Sequence, residues 1–165
     1  MKQHSVFIAV GSNMGNKRLN CQKGINSITD SGHAILKHES GFYKTSPTDY
    51  KEQDWFINAA IQIDTLLTPY QLLALLEAIQ LKIGRVHESV RFGPRILDLD
   101  IILYNDLVLD SEKLVIPHPR MHKRRFVLKP ICDIAPHIIH PVLKVSMQEL
   151  LNRIDDQDQK ILAIT

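Results

Sequence analysis

The sequence predicts an α+β sandwich with helices packed on a mainly antiparallel sheet, on three observations. Short apolar runs alternate at the strand period over residues 6–10, 56–65 and 97–104. Two stripes repeat at the helix period, one through Cys21, Ile25 and Ile28 and one through Leu72, Leu76, Ile79 and Ile83. The order in which they occur is β, α, β, β, α, β, followed by a hairpin and C-terminal helices, which is the ferredoxin-like arrangement.

Each element has a local cause. Val6, Ile8 and Val10 alternate with Phe7 and Ala9, so the first strand is apolar on both faces and is expected inside the sheet. The helix through Cys21 is expected to stop near Gly32. Residues 34–45 have weak periodicity and lead through a polar loop to residues 56–65, where Ile57, Ala59, Ile61 and Ile63 share a face; these are read as the second and third strands. Thr68-Pro69 opens the second helix and Gly84 closes it. Asn105 and Asp106 are turn residues from which a hairpin is expected to run back toward Ile116. Ser146 and Glu149 form a capping box ahead of Leu150, Leu151 and Ile154.

At 165 residues, 44% of them apolar, the chain is expected to form one domain over residues 1–165. The first apolar run is too short for a signal-peptide core or a membrane span, so the expected location is the cytoplasm. Cys21 and Cys132 stand far apart with no CxxC or Cys/His array, which argues against a disulfide framework and a structural zinc site. The formal net charge of +2 conceals a basic stretch, Arg120, Lys123, Arg124 and Arg125.

The chemistry is concentrated in Leu97-Asp98-Leu99-Asp100-Ile101. Strand alternation sends both carboxylates to one face and the aliphatic residues to the other. Adjacent like charges are costly unless a cation lies between them, and Mg²⁺ commonly accepts one or two protein carboxylates together with water and substrate phosphate oxygens. Arg91 and Arg95 lie just upstream, and His118 with the basic stretch lies downstream. Guanidinium and metal around a carboxylate pair is the charge pattern required to hold a polyphosphate. Phe56 and Asn58 share the face of their strand opposite the isoleucines, where a flat heterocycle could stack and be hydrogen-bonded. Residues 11–17 lack the spacing and the GK[ST] ending of a Walker A loop, so a nucleotide must be gripped by side chains and metal.

The chain resembles the 6-hydroxymethyl-7,8-dihydropterin pyrophosphokinases of folate biosynthesis over nearly its whole length. The matching runs are Ala9-Val10-Gly11-Ser12-Asn13, Phe42-Tyr43-Lys44-Thr45-Ser46-Pro47, Phe56-Ile57-Asn58-Ala59-Ala60, Gly84-Arg85-Val86, residues 91–101, and Ile116-Pro117-His118 with Arg124 and Phe126. The resemblance implies a ferredoxin-like monomer that transfers pyrophosphate from ATP to the pterin. It further implies two Mg²⁺ ions on Asp98 and Asp100, with Arg85 and Arg95 joining these acids as catalytic residues. ATP contacts are implied for Arg85, Arg95, Ile101, His118, Arg124 and Glu77, and pterin contacts for Thr45, Pro47, Phe56, Asn58 and Phe126. Neither nucleic acid nor membrane is an expected partner. Five positions depart from the family's usual pattern: Gln80 where a Glu is usual, with Glu77 one turn earlier expected to cover part of the same face; His87; Phe56 and Phe92; and Pro119.

Three other readings compete. An RNA-binding module would present exposed aromatics on the central strands, and paired acids on that face repel a phosphate backbone. A metal-dependent phosphohydrolase would use the same acids with water as nucleophile. A binding-only relative would retain the cleft without turnover.

Overall fold

A computed structural model describes residues 2–48, 50–84, 94–155 and 158–164. The elements run β1 (His4–Ser12), α1 (Lys17–Asp30), β2 (Ala34–Glu39), β3 (Phe42–Thr45), β4 (Phe56–Thr65), α2 (Pro69–Ile83), β5 (Asp98–Tyr104), β6 (Leu109–Asp110), β7 (Val115–Ile116), α3 (Arg125–Ile134), α4 (Met147–Arg153) and β8 (Ile161–Ile164).

The doubly apolar β1 lies inside the sheet, paired antiparallel with β4 on one side and β5 on the other. The strand order is β5-β1-β4-β3-β8, with β2 pairing to the far half of β4, and every ladder is antiparallel. This is the ferredoxin-like arrangement with additions. Segment 34–45 is two strands rather than one. The break falls at Ser40, whose hydroxyl accepts the Ala60 amide at 2.8 Å while its own amide donates to the Ala60 carbonyl at 2.9 Å. A side chain standing in for a ladder bond interrupts the alternation, which is why the period was weak.

Both faces of β1 are covered. Val6, Ile8 and Val10 pack with Cys21, Ile25 and Ile28 of α1, Leu72, Leu76 and Ile79 of α2, and Leu97, Leu99 and Ile101. Gly24 lets α1 approach closely, since a Cβ there would stand 2.9 Å from a Leu97 methyl, one residue before Asp98. The opposite face, with Phe7, Ala60 and Ile102, is closed by Val127, Leu128 and Ile131 of α3 and Met147 and Leu150 of α4. Both predicted caps mark real helix starts: Thr68 caps α2, reciprocally with Gln71, and Ser146 accepts the Glu149 amide at 3.1 Å at the start of α4.

Three features were not foreseen. The apolar side of α3 is hidden in sequence by the basic residues leading into it. β8 is four residues long, and only its pairing with β3, over a hundred positions earlier, makes it a strand. The turn at Asn105 does not return a strand onto β5. Its amide and side chain bond Ser5 of β1, both at 2.8 Å, and the hairpin forms further on between β6 and β7. The chain rejoins β5 where the His118 amide donates to the Ile102 carbonyl at 3.0 Å.

Candidate active site

One cleft opens where β1 ends, between the loop after β3, the start of β4, the acidic end of β5 and the first turn of α3. It is lined by Gly11, Thr45, Pro47, Phe56, Asn58, Arg95, Asp98, Asp100, Arg124 and Phe126, together with Ala9, Val10, Ser46, Thr48, Gln53 and Val127.

At the β5 end, alternation acts as the sequence implied: Leu97, Leu99 and Ile101 are buried in the core, and Asp98 and Asp100 face the cleft. Arg95 Nη1 donates to Asp98 Oδ1 at 3.2 Å. The main chain of Arg95 is held from both sides by Asn13, whose Oδ1 accepts the Arg95 amide at 2.7 Å and whose amide donates to the Arg95 carbonyl at 3.0 Å. Asn13 is 2% exposed, and its Nδ2 reaches Gln53 Oε1 at 2.8 Å and the Asp54 carbonyl at 3.2 Å. One buried amide therefore joins the arginine to the loop on the opposite side. Asn13 was noted in sequence only as part of a motif; its place directly after a buried strand, in Gly11-Ser12-Asn13, was the available signal. Gln53 carried none.

His118 lies within electrostatic reach of Asp98 and Arg124. Burial, reinforced by Arg124 and Arg120 and opposed by Asp98, pulls its pKa down to about 4. Its Nδ1 accepts the Arg120 amide at 3.1 Å, so the neutral ring carries its proton on Nε2 and can donate there. A phosphate oxygen near it would meet a neutral hydrogen-bond donor, not a cation.

The β4 end is neutral and closely fitted. Asn58, 7% exposed, donates from Nδ2 to Thr45 Oγ1 at 2.6 Å, and Thr45 is 2% exposed. A Cβ on Gly11 would stand 2.6 Å from Asn58 Oδ1, so only glycine leaves room for this amide. Phe56 and Phe126 are half-buried beside it, and the Arg124 guanidinium stands 5.5 Å from the Phe126 ring centre.

Two residues for which the resemblance implies ATP contacts bring no side chain to the described lining of the cleft. Ile101 turns its side chain into the core, 5% exposed, and brings none to the cleft. Glu77 is exposed on α2 and is not among the described residues that line the cleft. The inward position belongs to Gln80, 3% exposed, which donates to the Leu76 carbonyl at 3.1 Å and accepts the Leu99 amide at 3.2 Å, between the two acids of β5. An amide can serve a donor and an acceptor at once, whereas an ionised carboxylate only accepts. Of the basic stretch, Arg124 alone lines the cleft. Arg85, His87, Arg91 and Phe92 lie outside the described residues.

The fold and cleft define a ferredoxin-like α+β protein with an acid-and-arginine pole facing a neutral aromatic slot. Residues 7–136 match the family model described as 7,8-dihydro-6-hydroxymethylpterin-pyrophosphokinase (HPPK), and the chain belongs to that family. It is 38% identical over 132 residues to the 2-amino-4-hydroxy-6-hydroxymethyldihydropteridine pyrophosphokinase of Bacillus subtilis, covering 80% of this chain and 78% of the relative. It is 41% identical over 145 residues to the folic acid synthesis protein FOL1 of Dictyostelium discoideum, covering 88% of this chain but 22% of that longer protein. The fold is similar to that of Plasmodium falciparum HPPK-DHPS solved with pteroate, at a TM-score of 0.73 and 15% identity, covering 92% of this chain and 42% of the other. The chain thus spans about a fifth of some relatives (22%) and most of others (78%).

Proposed function

We propose that the cleft transfers the terminal pyrophosphoryl group of ATP to the hydroxymethyl oxygen of 6-hydroxymethyl-7,8-dihydropterin, giving the pterin diphosphate and AMP. The observation that carries this reading is the placing of Asp98, Asp100, Arg95 and Arg124 and of Thr45, Asn58, Phe56 and Phe126 in one cleft, in a chain of the HPPK family.

The neutral slot takes the pterin, with its ring between Phe56 and Phe126 and its polar edge on Asn58 and Thr45. The hydroxymethyl oxygen then faces the acidic pole. It forms a bond to the β-phosphorus while the bond from that phosphorus to the α,β-bridging oxygen breaks, AMP leaves with the electron pair, and the hydroxyl proton passes to solvent. Such a reaction asks mainly for alignment and charge neutralisation, so Arg95, Arg124 and the Nε2–H of His118 hold phosphate oxygens as negative charge shifts toward AMP.

The donor set suits Mg²⁺. Asp98 and Asp100 offer hard carboxylate oxygens side by side, and no cluster of three or more His, Cys, Asp or Glu exists among the described residues. Such a pair suits an ion shared with a polyphosphate rather than one caged by protein. When bound, Mg²⁺ would neutralise phosphate charge and fix the polyphosphate's orientation.

The test is AMP release from Mg-ATP with and without the reduced pterin, in wild type, Asp98→Ala and Asp100→Ala. Pterin-dependent AMP that disappears in both variants supports the reading. Phosphate and ADP released without pterin would replace it with a phosphohydrolase, and no product from folded protein would leave a binding protein.

A further inference from the structure

The two walls of the neutral slot come from elements far apart in the chain: Thr45, Ser46 and Pro47 follow β3, whereas Arg124 and Phe126 stand at the start of α3. At that start the helix has an unmet need. Arg124 occupies the N-cap position and makes no side-chain capping bond, yet first-turn amides require an acceptor. The acceptor comes from outside the helix. Gln159 Oε1 takes the Arg125 amide at 2.8 Å, Gln159 Nε2 donates to the Lys123 carbonyl at 3.1 Å, and the Gln159 carbonyl accepts Arg125 Nη1 at 3.0 Å.

The residues on either side of Gln159 bind the other wall. The Lys160 carbonyl accepts the Ser46 amide at 3.0 Å, the Lys160 amide donates to Ser46 Oγ at 2.9 Å, and β8 continues along β3 with Thr45 opposite Ile161. This segment lies beyond residues 7–136, the span of the family match.

We propose that residues 158–164 form a clasp that sets the separation of the slot walls, with Gln159 as a positioning residue for the heterocyclic substrate. It never touches that substrate; it acts by holding the α3 turn that carries Arg124 and Phe126 at a fixed distance from Thr45 and Pro47. The substrate assignment rests on the pterin reading above, whereas the clasp itself rests on the hydrogen bonds alone.

The test compares wild type, Gln159→Ala and Gln159→Glu in two measurements: hydrogen exchange at the Ser46 and Arg125 amides, and KM for the pterin in AMP release. Glu keeps the acceptor for the Arg125 amide and adds a negative charge that suits a helix start, but gives up the donor to the Lys123 carbonyl. The expected result is faster exchange at both amides in Gln159→Ala and a rise in pterin KM of about fivefold, the scale of one lost helix cap, with kcat nearly unchanged. Gln159→Glu, which retains one of the two side-chain bonds, is expected to give a KM between those of wild type and Gln159→Ala. Unchanged exchange at Ser46 would overturn the clasp whether or not the protein turns over pterin. Faster exchange with wild-type KM would overturn the positioning role and leave Gln159 a stabilising cap. Absence of AMP with wild-type protein counts against the pterin reading instead, and the exchange measurement still decides the clasp.

Discussion

The two ends of the cleft are built on opposite principles. At the β4 end, Asn58 and Thr45 are buried, hydrogen-bonded to each other and given room by Gly11. At the β5 end, Asp98 is part-exposed, cross-bonded to Arg95 and set beside a second acid. A neutral, desolvated pair discriminates by shape and by the cost of leaving a partner unsatisfied. A hydrated cluster of opposite charges discriminates hardly at all by shape; it works by neutralising whatever charge arrives. In the proposed reaction, one end recognises the pterin and the other drives the transfer.

The sharpest way to break this division is at the acids. Asp98→Ala or Asp100→Ala should lower kcat about a thousandfold or more, the scale for losing a preorganised charge at a reacting group, with the circular dichroism spectrum unchanged. Next in size, Asn58→Ala should raise KM for the pterin roughly ten- to a hundredfold by stranding the buried Thr45 hydroxyl, with KM for ATP hardly moved. Gly11→Ala should act in the same direction, because its methyl would occupy space 2.6 Å from Asn58 Oδ1. If both KM values move together in these variants, the ends are not separable.

A smaller effect comes from salt. Raising ionic strength from about 0.05 to about 0.5 M should increase KM for ATP several-fold while leaving that for the pterin within about twofold, because part-exposed charges are screened and buried neutral bonds are not. A parallel rise in both constants would show charge at the neutral end.

The smallest concerns His118, which joins the two descriptions by lying among charges yet being neutral. Its pKa falls from 6.5 unfolded to about 4 folded, so between those values the unfolded chain binds more protons. His118 therefore lowers stability as pH falls from 6.5 toward 4, by about 3 kcal/mol in all, and contributes no such change above 6.5. Thermal melts of wild type and His118→Gln should converge in slope above pH 6.5 and separate below it, with wild type losing more. Identical slopes down to pH 4 would show that the ring charges freely.

Most of the cleft was legible before the fold was. Asp98 and Asp100 on one face, Phe56 and Asn58 on another, and the α2 start at Thr68 all follow from periods of two and 3.6 residues acting over a few positions. The sequence was least decisive where a residue's direction depended on a neighbouring element. Glu77 and Gln80 are three apart on α2, and which of them faces inward is decided by where β5 packs, so the inward place fell to the amide and not to the carboxylate. The ATP contact that the resemblance implies for Ile101 is not one its buried side chain supplies, as its strand period already indicated.

Local periodicity and capping chemistry by themselves determined the main βαββαβ order and the pairing of the two acids on one side of β5, because both depend on neighbours a few residues away. Only the tertiary structure decided that α3 closes the second face of the sheet, that Asn13 braces Arg95, and that Gln159 caps α3 beside β8. The last two join groups 34 or more positions apart, as Asn13 does Arg95 and Gln159 does Arg125. Such contacts are selected by the burial and hydrogen-bond satisfaction of the whole molecule, and they leave no period in the chain to read.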